Sequence, residues 1–438
     1  MLNLKYMSKQ ENKSSLCGQN IEVQINCLNI QGEGVFYFEG KKGSVMGVLP
    51  EERVVVKVLS DKKDFLFCSL VKVISPSPLR IEPDCPYYYK CGGCNFLHIG
   101  KENSFLLKAN VVKDFLSSIY SGDIALHKST SQQNYRNKVA FAIDGKVVGL
   151  KGYHSSRVIP ISYCKIAKEN INTALAILQK YLQNSGENFS HAVVRSLDKS
   201  LSITLVCTKK PKDLNTLVQN LISIFGEDFG LYLNYNKNKK EILSDKFEHV
   251  FGQKFLTANE FGISFFVYPH AFLQVNDEIR LKLYERVSQF VAEERVVEGY
   301  SGVGILSAVL AQKAKGVTSI EINKSATKSA NLLKERNNIT NLENINGDFG
   351  EVFEKMDRKE PFTLVLDPPR KGLDKKVLDS ITKTLPDKIV YVSCNPYTLK
   401  QNVTYLTQFY LVENVEFFDM FPSTFDIETL LILKRRKK

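Results

Sequence analysis

One thiol and a series of carboxylates are the side chains best placed to do chemistry in this chain. Cys394 follows the β-branched run Ile389–Val392 and is followed at once by Asn395 and Pro396. An apolar, β-branched run of this kind reads as a buried parallel strand. Pro396 falls where a helix would begin, since the first helical position needs no N–H donor. The thiol is therefore expected at the carboxyl end of a strand, where open α/β sheets bind and react. A nucleophilic cysteine has to be reachable and easily ionised. The positive end of the adjoining helix is expected to favour its thiolate. A lone cysteine is more often a small buried apolar residue, so the neighbouring motifs decide between the two.

Those motifs are strand ends as well. Glu294–Glu298 leads into Gly299-Tyr300-Ser301-Gly302-Val303-Gly304 and a helix from Ile305. A strand, a glycine-rich turn and a helix make a nucleotide-binding start, here spaced GxxGxG rather than GxGxxG. The next strand, Val317–Glu321, ends in a carboxylate placed to hold two ribose hydroxyls. Asn344–Asn346 leads to Gly347 and Asp348, and Phe362–Leu366 ends in Asp367-Pro368-Pro369-Arg370-Lys371-Gly372. Alternating β and α segments should bring these ends to one sheet edge. A glycine turn with a strand-terminal acid suits adenosine. With no evident grip for a pyrophosphate, S-adenosylmethionine is favoured over NAD.

A second constellation is made of thiols. In the run CPYYYKCGGC, five residues separate Cys85 from Cys91 and two separate Cys91 from Cys94. Gly92 and Gly93 let the backbone turn tightly enough for two sulfurs to face one centre. Three such thiols need a fourth ligand. Cys164 is the best candidate and Cys207, inside the strand-like run Leu201–Val206, the second. Four thiolates suit zinc or an iron–sulfur cluster, and the uneven spacing is not that of paired zinc-ribbon motifs.

The rest of the chain positions these groups. Its 438 residues are enough for two or three domains, and 43% hydrophobic with 24% charged residues is a globular balance. Lys and Arg exceed Asp and Glu by 59 − 47 = 12, which points to a polyanionic partner, nucleic acid before an anionic membrane. No apolar run approaches the roughly 20 residues of a membrane span, and the N-terminal residues lack the apolar core of a signal peptide. Nine cysteines, an odd number without a disulfide-framework spacing, suit a reducing cytoplasm. Residues 1–17 read as a flexible tail. From residue 18 to 76, about five short glycine-punctuated strands fit an OB-like barrel, with turns at Gln31–Gly34 and Gly40–Gly43 and a linker at Ser75–Pro78. Residues 103–120 follow a helical pattern through Phe105, Leu106, Ala109, Val112, Phe115 and Leu116. Tyr135-Arg136-Asn137-Lys138 opens a strand with basic and aromatic residues suited to phosphate and base.

Taken together, DPPRKG, Ser393-Cys394-Asn395-Pro396, Phe272–Asn276 (FLQVN), CPYYYKCGGC and Tyr135–Lys138 resemble the RNA uracil-carbon-5 methyltransferases. They most resemble the 23S ribosomal RNA branch, which carries a TRAM domain and an iron–sulfur cluster. The resemblance covers nearly the whole chain. It implies a Rossmann-like class I methyltransferase domain over 96–125 and 256–438. It further implies a central α+β iron–sulfur, RNA-binding domain over 77–95 and 126–255, and the TRAM barrel over 18–76. By resemblance, Cys394 is the nucleophile and Glu428 the general base. Gln274, Tyr300, Glu321, Asp348 and Asp367 line the S-adenosylmethionine pocket. Cys85, Cys91, Cys94 and Cys164 hold a 4Fe-4S cluster, with zinc as the alternative. Two departures stand out: Glu298-Gly299-Tyr300-Ser301-Gly302 replaces the family's Asp-Leu-Tyr-Cys-Gly, and Asp426-Ile427-Glu428 replaces its His-x-Glu. A second carboxylate two residues away is expected to raise the pKa of Glu428.

The expected activity is methylation of uridine carbon 5 in 23S rRNA through a covalent Cys394 adduct, with RNA as partner, no membrane and no obligate protein partner. A tRNA substrate is the nearest alternative, but the tRNA branch generally lacks the barrel and the cysteine cluster, which favours ribosomal RNA. A non-catalytic RNA-binding assembly protein that keeps the fold is another. An amino-group methyltransferase fits less well, because Arg370 follows the two prolines where an aromatic residue would stack on the target, and Cys394 would have no task.

Overall fold

The structure, a computed structural model, describes residues 15–153, 155–238, 240–356 and 360–437. The chain forms two compact units. The smaller runs to Glu82 and takes back His98–Gly100; the larger holds the remainder. The tail expected over 1–17 lies almost wholly outside the described residues.

The smaller unit is a six-stranded sheet. In spatial order its strands are Asn20–Gln24, Arg53–Asp61, Phe65–Ser75, Lys41–Val45, Gly34–Phe38 and Cys27–Leu28. Alternation sends Val23, Phe36, Val54, Val56 and Leu66 into one core. The turn expected over Gly40–Gly43 is instead a two-residue hairpin at Glu39 and Gly40, both with positive φ (46° and 77°). That conformation matches the strand twist. Gly43 lies within the strand Lys41–Val45, where a Cβ would stand 2.2 Å from the Phe36 ring. The segment expected as a linker is also tied down. The buried Glu52 carboxylate accepts from Ser77 N at 3.1 Å and pairs with Arg80, whose Nη2 donates to Oε2 at 2.7 Å. A buried ion pair extends the unit past the expected end at residue 76.

The larger unit contains two major sheets. One has seven strands, Val158–Pro160, Val147–Lys151, Lys138–Asp144, His191–Leu197, Ser200–Cys207, Phe229–Tyr235 and Phe247–Gly252 in spatial order. Helices Glu169–Asn184 and Asn215–Phe225 pack into its core through Leu175, Leu178, Leu217 and Leu221.

The other sheet has eight strands. Their order is Leu342–Asn346, Gly316–Glu321, Arg295–Gly299, Phe362–Leu366, Lys388–Ser393, Glu428–Arg435, Tyr410–Phe418 and Ile124–His127. The first five run parallel. Their β-branched residues are buried on both faces, as a helix-covered parallel sheet requires. Glu428–Arg435 enters antiparallel to both neighbours. Chain reversal at Arg295–Gly299, between strands on either side, creates the crevice in which such folds bind ligands.

The helix Lys101–Leu116 buries Phe105, Ala109, Val112 and Leu116 in the core of the eight-stranded sheet. Leu106, assigned above to its apolar stripe, is exposed, whereas Lys108 is fully buried. Among the described residues no helix is long and apolar enough to cross a membrane.

Candidate active site

Three adjacent strand ends build the centre. Arg295–Gly299 delivers the glycine turn, Phe362–Leu366 delivers Asp367, and Lys388–Ser393 delivers Cys394. The next strand runs the other way, so its beginning meets their ends. Ser393 pairs with Thr429, so Cys394, just past the end of one strand, and Glu428, at the start of the other, come close enough for the carboxylate to act on the thiol. On its other side Glu428 pairs with Phe418.

The strand stops at Ser393, just before Cys394, and Asn395 caps the helix Pro396–Leu406, its side chain accepting from Tyr397 N at 3.1 Å. The same start holds the Asp367–Gly372 loop: Asn395 Nδ2 donates to Arg370 O at 2.8 Å, and Thr398 Oγ1 to the same oxygen at 3.2 Å. Asn402 completes the attachment, bonding Leu373 N at 2.9 Å and Leu373 O at 3.1 Å. The Arg370 guanidinium then reaches Asp426 Oδ2 at 2.8 Å and acts electrostatically on the Cys394 thiol.

The electrostatics differ from the expectation for the thiol. Burial, then the Glu428 carboxylate, push Cys394 up to about 12; Arg370 opposes them, and Asp367 and Asp426 add to the rise. Burial outweighs the favourable helix start, and the three carboxylates add to it. Glu428 is itself raised well above the ordinary range, by burial first, then by Asp367 and only then by Asp426. The expectation had named Asp426 alone, whose charge is shared with Arg370. Burial raises Asp367 to about 7, although Gln274 Nε2 donates to its Oδ2 at 3.3 Å. Glu298, one strand over, is raised to about 8, again mainly by burial. The free protein thus holds several carboxyls beside the thiol that ionise near or above neutrality.

The glycine turn is strained where it is useful. Tyr300 has φ +64°, Gly302 +57° and Gly304 +83°. A Cβ on Gly304 would stand 2.7 Å from Ala330 Cβ, so helix Ile305–Ala311 approaches helix Lys324–Arg336 only without one. Glu321 is fixed by two amides, Gly302 N to Oε2 at 2.8 Å and Asn323 N to Oε1 at 2.7 Å. Asp348 caps helix Phe349–Lys355 by accepting from Glu351 N at 3.1 Å. Ser301 Oγ in the turn, Glu298 Oε2 and Glu428 Oε1 are buried without a hydrogen-bond partner among the protein atoms. Unpaired buried polar atoms of this kind beside a glycine turn suit a polar, cationic ligand.

Gln274 is positioned from afar. Asn137, fully buried, donates through Nδ2 to Gln274 O at 2.9 Å and through its backbone N to Val275 O at 2.9 Å. Arg280 Nη1 donates to Gln274 O at 3.1 Å. Tyr135, whose ring was expected to suit a base, is instead internal, and the buried Asn137 beside it satisfies two chain segments at once. Lys108, Glu298 and Arg370 were not singled out for the site. A charged residue on an apolar stripe marks Lys108; the other two give no signal in isolation.

The four cysteines line one cavity of about 410 Å³, which Arg136, Arg370 and Asp426 also reach. Gly93 N donates to Cys91 Sγ at 3.4 Å, and Ala167 N to the Cys164 carbonyl at 3.1 Å. Burial raises Cys91, Cys94 and Cys164, and the cysteines raise one another further. Cys207 lies in the core of the seven-stranded sheet instead. Among the described residues no group of three or more His, Cys, Asp or Glu side chains converges tightly enough to hold a metal ion.

The sheet, its glycine turn and the cluster at its edge define an α/β methyltransferase of class I. The sequence profile described as tRNA (Uracil-5-)-methyltransferase matches residues 102–436, and the chain belongs to this family of RNA methyltransferases. A protein from Halalkalibacterium halodurans named as an uncharacterized RNA methyltransferase is 32% identical, the match covering 98% of this chain and 99% of that one. A Listeria monocytogenes protein so named is 31% identical over 95% and 97%. Among solved structures, the Pyrococcus abyssi tRNA (uracil-54, C5)-methyltransferase with S-adenosyl-L-homocysteine superposes with a TM-score of 0.78 at 24% identity, covering 94% of this chain and 99% of that one. The likeness extends over both units.

Proposed function

We propose that this protein methylates carbon 5 of uridine in 23S rRNA, using S-adenosylmethionine and a transient covalent bond from Cys394 to the base. One observation supports the reading: the Ser393–Thr429 pair ends two adjacent strands whose next residues are a thiol and a buried carboxylate that act on one another. Carbon 5 of uracil is a weak nucleophile. Addition of Cys394 Sγ to carbon 6 moves the ring electrons toward the carbonyl and makes carbon 5 nucleophilic. S-adenosylmethionine, when bound, supplies the electrophilic methyl group. Glu428 accepts the carbon-5 proton, the ring electrons re-form the double bond, and the thiolate leaves. Gln274, Tyr300, Glu321, Asp348 and Asp367 hold the cofactor. The target base is unstacked to reach the crevice, while basic surface grips the surrounding strand.

The thiol, raised to about 12, is ionised only when its surroundings change. A sulfonium cation beside Asp367 and the Arg370 guanidinium both favour the thiolate. In the same way, a cation lowers the carboxyl of Glu428 and prepares it to accept a proton.

Cys85, Cys91, Cys94 and Cys164 are proposed as ligands of a 4Fe-4S cluster. A single zinc ion needs sulfurs about 2.3 Å from one point. A cluster takes each thiolate on a separate iron, which suits four sulfurs spread around a cavity.

A tRNA substrate is the second reading. The family profile and the Pyrococcus enzyme are both named for tRNA, and the latter spans both units of this chain. Architecture therefore does not exclude tRNA, contrary to the expectation from the barrel and cysteines.

The test is direct. Cys394→Ala is expected to bind RNA but neither to methylate nor to label it. Glu428→Gln is expected to accumulate protein–RNA adduct on a denaturing gel. Turnover by Cys394→Ala, or no adduct with Glu428→Gln, overturns the mechanism. Mapping 5-methyluridine in rRNA and tRNA from cells with and without the protein separates the two substrates.

A further inference from the structure

Lys108 lies on the buried stripe of helix Lys101–Leu116 and has no exposed surface. Its ammonium stands 2.6 Å from Asp419 Oδ1. It also donates to the carbonyl oxygens of Phe421, Thr424 and Asp426, at 3.1, 3.2 and 3.1 Å. All four acceptors come from the single connection between strands Tyr410–Phe418 and Glu428–Arg435. An ammonium carries three donors and no acceptor, so one buried cation gathers this turn. Burying a lysine is costly, and apolar packing alone does not call for one.

The same connection is held from its other side. Phe425 N donates to Asn95 Oδ1 at 3.0 Å, and Phe96 N to Ser423 O at 3.2 Å. The Phe96 ring meets the Phe425 ring edge-on, their centroids 5.2 Å apart. Ser423 Oγ donates to Gln132 O at 3.2 Å. The connection runs directly into Asp426 and Glu428.

We infer that Lys108 is a positioning residue. Its ammonium, opposed by Asn95 and Phe96, sets the turn from Asp419 to Asp426 and thereby aims Glu428 at the carbon-5 proton of the base held on Cys394. The inference rests on the methyl-transfer reading above. It assigns the clamp to one step: proton removal depends on it, and thiol addition does not, because Cys394 is carried by its own strand and helix.

The experiment uses full-length protein, an RNA substrate tritiated at uridine carbon 5, and S-adenosylmethionine. Adduct formation and tritium release are followed separately. Lys108→Met paired with Asp419→Asn avoids a stranded buried charge. This double variant is expected to form adduct at close to the wild-type rate. It is expected to release tritium about 100-fold more slowly, the scale of an ångström-sized misplacement, with KM for S-adenosylmethionine unchanged. Asn95→Ala loosens the other side without burying a charge, and is expected to slow release in the same direction by about tenfold. If the double variant does not fold by circular dichroism, Asn95→Ala decides alone. Equal loss of adduct formation and tritium release, or no change in release, overturns the clamp. Wild-type protein that forms no adduct overturns the methyl-transfer reading, and the clamp with it.

Discussion

At the scale of single residues, the site is governed by competition among charges in a dry crevice. Asp367 has a folded pKa of about 7, above the unfolded value of about 3.9. Between those values the folded state binds more protons, so the stability contributed by its neutral form is present below about pH 4 and lost as pH rises to about 7. Asp367→Asn removes this dependence. Without cofactor, the variant is expected to melt above the wild type at pH 8 but not at pH 4; the same difference at both would sink the assignment. Arg370 works in the other direction, since it lowers the Cys394 thiol against its carboxylate neighbours. Arg370→Gln is expected to move the pH profile of adduct formation to higher pH and to slow it about tenfold at neutrality, where the thiolate fraction falls. A profile that scales down without moving would show that Arg370 acts on something other than the thiol. The type and place of Cys394 and Asp367 were legible in the chain. The direction of the thiol's shift was not, because it is set first by burial and then by the Glu428 carboxylate, which comes from a strand over thirty residues away.

At the scale of elements, the strand ends, glycine turn and capped helices follow from local pattern. Apolar β-branched runs become buried parallel strands, and Asn323, Asp348, Asp374 and Asn395 cap the helices that follow. Gly304 shows how narrow the local solution is, with left-handed backbone and Ala330 in the space of a side chain. Gly304→Ala is expected to cost about 1–2 kcal/mol of backbone strain, besides the clash. Calorimetric titration should find S-adenosylmethionine binding weakened, and RNA binding unaffected. Unchanged cofactor affinity would remove the turn from the pocket. Other elements were read less well. The pattern at Tyr135–Lys138 suggested an RNA contact, yet Asn137 is an internal strut for the loop carrying Gln274. Polarity in a sequence does not say whether a partner is water, RNA or another segment.

At the scale of the whole molecule, the excess of 12 positive charges over negative ones implies RNA affinity dominated by counterion release. Filter binding is expected to show log affinity falling linearly with log salt, and a flat response would contradict an electrostatic grip. Protein purified without oxygen is expected to contain about four irons and four sulfides per chain, lost together in Cys91→Ser. Stoichiometric zinc in place of iron would identify the other thiolate centre.

The sequence by itself determined the class of fold, the family, and the residues that close each strand, because these rest on local periodicity and on closely spaced motifs. Tertiary structure alone decided which of those residues share a crevice, and how each is charged there. The antiparallel strand Glu428–Arg435 brings its first residue beside Cys394, and the buried Lys108 gathers the turn that leads to it. Both depend on contacts between segments distant in the chain. Burial and neighbouring charge, which set a pKa, exist only once those segments have met.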